Sequence, residues 1–180
     1  MLNCMREKYI SVDVESSGPI PGEYSLLTIG ACLVDDDSTT FAASLKPLNR
    51  NAVPEAMSVS GLSLDELERT GQPPAEAMAA FGEWIAQATQ DGTKAVFVGL
   101  NAPFDWSFVN YYFHRFVGDN PFGFTALDIK ALVREVPVVS DRAEALDVLH
   151  AAHQSLVVHL DLKPSNILVD RAGRVHLIDF

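Results

Sequence analysis

The stretch Tyr9-Ile10-Ser11-Val12-Asp13-Val14-Glu15 constrains this chain more than any other. Ile10, Val12 and Val14 alternate with Ser11, Asp13 and Glu15, the two-residue period that sends neighbouring side chains to opposite faces of a sheet. The stretch is therefore expected to form a strand with one buried face and both carboxylates on the other. Asp13 and Glu15 then have α-carbons about 6.6 Å apart, from the rise of an extended strand. Two ionised carboxylates at that separation repel each other, and a cation between them removes the cost. Taken alone, Asp-x-Glu on a strand also describes a solvated polar face, so the rest of the chain has to decide.

The length of 180 residues suits one domain, or one domain with an appendage. A formal net charge of −11 argues against a broad basic surface that grips nucleic acid by counterion release. It leaves room for an enzyme that meets phosphates through bound divalent ions, because such ions invert the local field. Cys4 and Cys32 are too few for a disulfide framework and lack metal-ligand spacing. No apolar run reaches the length of about 18 residues that suggests a membrane span. Met1 to Lys8 is polar, with no signal-peptide apolar core after it. The expectation is a cytoplasmic protein that does not engage membranes.

After the first strand, Ser16-Ser17-Gly18-Pro19-Ile20-Pro21-Gly22 reads as a turn-rich connection. Strands are expected over Ser25 to Val34 and Thr39 to Leu45, with Asp35-Asp36-Asp37-Ser38 as the hairpin turn between them. Those three aspartates are read as solvated turn residues. A short helix is expected after Pro54, and Ser63-Leu64-Asp65-Glu66 has the form of a capping box opening another, which Gly71 ends. A third helix starts near Pro74 and carries Ala77, Met78, Phe81, Trp84 and Ile85 as a core-facing stripe. Ala95 to Leu100 is a continuous apolar run, as in a strand buried on both faces. Asn101-Ala102-Pro103-Phe104-Asp105 then turns into an aromatic-rich helix, with Asp105 in its first turn near the positive end of the helix dipole. Thr125 to Val136 reads as a short strand running into a helix. The order describes a mixed α/β domain.

The stretch from Tyr9 to Val34, followed by Phe97 to Phe113, resembles the DEDD superfamily of 3′–5′ exonucleases, with its ribonuclease-H-like fold. Asp13-x-Glu15 resembles the first motif of that family, and Asn101-x-x-Phe104-Asp105 the second. Ala126 to Leu132 is similar to the segment that precedes the third. The resemblance covers about residues 9–136 and implies a mixed sheet, an antiparallel three-strand meander plus parallel strands, flanked by helices. It implies Asp13, Glu15 and Asp105 as catalytic, metal-ligating residues for two Mg²⁺ or Mn²⁺ ions. Ser16, Ser17 and Asn101 would contact substrate, the 3′ end of single-stranded DNA or RNA. The chemistry agrees: hard divalent ions take carboxylate oxygens, and two of them serve both ends of an in-line phosphodiester displacement.

The family's third motif, His followed by four residues and Asp or a Tyr-based equivalent, has no counterpart past Asp128. His114 and Asp119 have the spacing but fall too early in the chain. The tail, about residues 141–180, instead resembles the catalytic-loop region of protein kinases. His159-Leu160-Asp161, Lys163, Asn166 and Asp179-Phe180 stand at kinase spacing. The rest of a kinase is absent, so Asp161, Lys163, Asn166 and Asp179 are expected to be non-functional. The expected organisation is an exonuclease-like domain over residues 1–138 and a partial kinase-like segment, a helix and a hairpin, over 139–180. The leading function is 3′–5′ exonuclease, impaired by the missing motif. The alternatives are a catalytically inactive nucleic-acid or protein binding module and, further off, a kinase-related fragment.

Overall fold

The alternation around Asp13 does become a strand, and it is the centre of the sheet. The computed structural model describes residues 7–36, 38–90, 92–133, 167–169 and 175–177. Strand β1 (Glu7–Ser16) pairs antiparallel with β2 (Leu26–Leu33), which pairs antiparallel with β3 (Thr40–Ser44). On its other side β1 runs parallel to β4 (Lys94–Gly99), and β5 (Ala126–Asp128) follows, giving the order β3-β2-β1-β4-β5. The meander's strands are joined by a loop over residues 17–25 and a turn over 34–39, whereas the parallel β1–β4 pair needs the long helical crossover between β3 and β4.

That crossover holds α1 (Pro54–Ser60), α2 (Leu64–Thr70) and α3 (Pro74–Ala88). Ser63 caps α2, its hydroxyl accepting from the Glu66 N–H at 3.4 Å. Gly71, which ends α2, is not in the left-handed region: its φ is −66°. A side chain there would lie 2.6 Å from backbone atoms of Leu45 and Lys46, so glycine lets the chain leaving α2 run against the end of β3. After β4 come α4 (Pro103–Phe116) and α5 (Ile129–Val133).

One face of the sheet, with Ile10, Val12, Val14, Ile29 and Phe97, packs with Ala77, Met78, Phe81 and Ile85 of α3 and Phe108, Val109, Tyr112 and Phe113 of α4. The expected stripe of α3 is buried except for Trp84, which is partly exposed. Phe81 is the hub, stacked on Phe41 at 4.8 Å and on Phe113 at 5.6 Å between ring centroids. Cys32 is buried. Among the described residues no helix is long and apolar enough to cross a membrane.

The chain divides into two compact units, residues 1–127 and 128–180. In the second, β6 (Ile167–Val169) and β7 (Val175–Leu177) pair antiparallel with Val169 opposite Val175, as two strands of the hairpin expected in the tail would. The helix expected over residues 142–153, together with Asp161, Lys163, Asn166 and Asp179, lies outside the described residues.

Candidate active site

Strand β1 is longer than its parallel partner. The β4 ladder covers only Glu7 to Ser11, so residues 12–16 project past its end. The chain leaving β4 turns through Leu100 to Ala102 and starts α4 in the space this leaves. Asn101 makes that turn with φ of 59°, a left-handed conformation that asparagine tolerates better than most residues. Its carbonyl accepts from the Phe104 N–H at 3.1 Å, and Pro103 suits the first turn because it has no N–H to satisfy.

The first turn of α4 therefore returns to β1. Oδ1 of Asp105 accepts the Val14 backbone N–H at 3.0 Å, in the interior. Val14 is the residue between Asp13 and Glu15, so a bond between positions 91 residues apart brings Asp105 to the end of β1 that carries both other carboxylates. Asp105 is only 6% exposed, Glu15 is half-buried and Asp13 is open to solvent.

Burial pushes the Asp105 carboxyl up to about 7; the Val14 N–H opposes this, while the charges of Asp13 and Glu15 add to it. Desolvation raises Asp13, and desolvation followed by the Asp13 charge raises Glu15. Asp13 is accessible to water yet desolvated, which fits a carboxylate at the mouth of a depression. Among the described residues no cationic side chain forms a salt bridge with any of the three. This is an uncompensated anionic cluster of oxygen donors, right in kind for a hard divalent cation. Its arrangement is open: among the described residues no three His, Cys, Asp or Glu side chains stand close enough to hold one metal ion together.

The two serines after Glu15, expected to contact substrate, are both buried where β1 runs into the loop that follows it. Ser17 is fully buried, its Oγ accepting from the Ser25 N–H at 2.9 Å, and its carbonyl accepts from the Val53 N–H at 2.7 Å. The Ser16 hydroxyl donates to the Gly18 carbonyl at 2.8 Å. Both hydroxyls close the loop after β1 instead of facing solvent. Asp36 accepts from Ser38 and Thr39 in the β2–β3 turn, as a turn aspartate does. His114 and Asp119 are exposed.

Two features were not legible in sequence. One is a groove of about 540 Å³ beside Asp13, bordered by Thr28, Gly30, Ala42, Ser44 and Gln72. The small residues at 30 and 42, paired across β2 and β3, were its only sequence signal. The other is the phenol of Tyr112 on α4, which accepts the Leu26 N–H at 2.8 Å.

Sheet order and flanking helices define the ribonuclease-H-like α/β class. The product-bound structure of exonuclease I matches with a TM-score of 0.59 at 17% identity, over 77% of this chain and 35% of that one. The zinc-bound complex of Escherichia coli exonuclease I with single-stranded DNA matches at 0.57 and 18%, over 72% and 29%. The chain thus spans about a third of the exonuclease I chains it matches. Over 127 residues it is 54% identical to the 3′–5′ DNA exonuclease Cap18 of Escherichia coli, covering 71% of this chain and 68% of that protein. The chain belongs to the 3′–5′ exonuclease family that Cap18 represents. A shorter match of 38 residues is 50% identical to citron rho-interacting kinase of Rattus norvegicus, 21% of this chain and 2% of that protein. No protein-family model matches the chain.

Proposed function

We propose that this chain is a divalent-metal-dependent 3′–5′ exonuclease acting on single-stranded DNA ends. The observation that carries the reading is the approach of Asp105 to Asp13 and Glu15, with no salt-bridge partner among the described residues, in a chain of the Cap18 family. Asp13, Glu15 and Asp105 would hold Mg²⁺ or Mn²⁺, which supplies a nucleophilic water at neutral pH and neutralises the leaving oxygen. The chain's own part is placement. The Val14 N–H, bonded to Oδ1, fixes the Asp105 carboxylate against β1. Burial on the core side keeps Asp105 out of bulk water, while Asp13 faces the open side where a strand end can approach. The loop closed by Ser16 and Ser17 and the turn at Asn101 border this edge. DNA is preferred to RNA on the name of Cap18 alone. The cytoplasm is the proposed compartment, on the cysteine content.

A second reading has its own support. No His-x-x-x-x-Asp follows Asp128, and the described carboxylates do not close on one ion, so a binding module without turnover is the competitor. Loss of a general base alone costs about 10²–10⁴-fold. Incubating a 5′-labelled single-stranded oligonucleotide with the protein and Mn²⁺ separates the two. A ladder shortening from the 3′ end supports the exonuclease; retention of label on the protein without shortening supports the module.

A further inference from the structure

Helix α4 touches the β1–β2 backbone through two hydrogen bonds, and only one involves a carboxylate. Asp105 takes the Val14 N–H, and seven residues later Tyr112 takes the Leu26 N–H. Seven residues are two turns, about 10.5 Å along the same helix face. Between the two anchored backbone positions lies Glu15.

The Leu26 bond falls at an irregularity. Glu15 pairs with Thr28 and Ser16 pairs with Leu26, so Leu27 is the extra residue of a β-bulge. Bulges disrupt the ladder and re-aim the side chains around them. Here the re-aimed segment is the end of β1 that carries Glu15 and leads into the Ser16–Ser25 loop. The Leu27 carbonyl accepts from the Leu45 N–H at 2.8 Å, tying it to the end of β3. The tie to the helix is the Tyr112 phenol.

Packing alone does not call for a tyrosine at this position. Tyr112 is fully buried, with its ring 5.5 Å from that of Phe116 and 5.9 Å from that of Tyr111. A phenylalanine would fill the same space without burying a hydroxyl that needs a partner. What the hydroxyl adds is the bond to Leu26. We infer that Tyr112 is a positioning residue for Glu15, acting through the bulge at Leu27. The inference rests on Glu15 belonging to the exonuclease site proposed above.

A double-mutant cycle of Tyr112→Phe with Glu15→Asp tests this, read as initial rates of 3′ shortening with Mn²⁺. Tyr112→Phe alone is expected to lower kcat about ten-fold, since small misplacement near reacting groups is costly. KM should stay within about two-fold, the pattern of an interaction that matters in the transition state. In the Glu15→Asp background, where the carboxylate is already withdrawn, Tyr112→Phe should cost less than about two-fold. Phe113→Leu, which perturbs the same helix away from the ladder, should lower the melting temperature and leave kcat unchanged. Equal effects of Tyr112→Phe in both backgrounds, or none in either, overturn the inference while leaving the exonuclease reading intact. A wild-type protein that neither shortens nor binds the oligonucleotide overturns that reading, and the inference with it. Hydrogen exchange at the Leu26 amide of the wild type needs no variant to fold: protection supports the clamp, and exchange at an unbonded rate overturns it.

Discussion

The backbone N–H of Val14 donates to Oδ1 of Asp105 at 3.0 Å, joining the centre of the sheet to the first turn of α4. This bond forms because β1 outruns β4, leaving a main-chain donor that a helix start can reach. It brings a third carboxylate beside Asp13 and Glu15, and among the described residues none of the three has a salt-bridge partner.

The first prediction concerns pH. The Asp105 carboxyl titrates near 7 when folded, against a usual 3.8. The folded protein then holds the proton more tightly than the unfolded chain. Its contribution is present below about pH 4 and is lost as pH rises through 7, up to about 4 kcal/mol in all. Asp13 and Glu15, raised as well, act in the same direction. Urea midpoints of the metal-free protein should fall between pH 5 and pH 8. Asp105→Asn keeps an acceptor for Val14 and should flatten much of that slope. An equally steep slope in the variant would contradict the assignment.

Divalent ions should reverse the effect. A ligand that binds only the folded state at 100 times its Kd stabilises by about 2.7 kcal/mol. Mn²⁺ at pH 8 should therefore raise the melting temperature of the wild type, and raise it less in Asp13→Ala. Equal shifts in both proteins would place the ion elsewhere.

Phe81 tests the core. Its ring contacts Phe41, Trp84, Phe113 and Phe122, joining α3 to β3 and α4. Phe81→Ala should cost about 3–5 kcal/mol in chemical denaturation, the range for large-to-small changes in a close-packed interior. A loss under about 1 kcal/mol would mean the aromatic layer is not the core.

Two glycines should respond in opposite ways. At Gly71 a side chain would meet the backbone of Leu45 and Lys46, so Gly71→Ala should destabilise the protein. Gly30, directly opposite Asp13, has ordinary backbone angles, and a side chain there would meet only the Asp13 carbonyl at 3.9 Å. Gly30→Ala should leave stability unchanged or raise it by about 0.4–1 kcal/mol. Thermal unfolding of the two variants checks both signs.

Much of the fold could be read from residue order. The alternation around Asp13, the proline-led starts of α1, α3 and α4, and the apolar run of β4 each fix an element locally, and the observed bounds differ by a residue or two. The elements that carry Asp13, Glu15 and Asp105 were legible as well, from strand period and helix start, but the bond that brings Asp105 to Val14 was not. The loop-closing bonds of Ser17 were not legible either: they depend on Ser25 and Val53, which sequence proximity does not supply. The tyrosine clamp was hidden for the same reason. Leu26 and Tyr112 are 86 residues apart, and only the assembled sheet shows that a bulge lies beneath the phenol.

The most direct test of the central claim is degradation of a 5′-labelled single-stranded DNA oligonucleotide with Mg²⁺ or Mn²⁺, comparing the wild type with Asp13→Ala shown to be folded. A ladder shortening from the 3′ end, requiring the metal and absent in the variant, is the expected result. An intact oligonucleotide with the folded wild type, or a ladder that persists without Asp13, would contradict it.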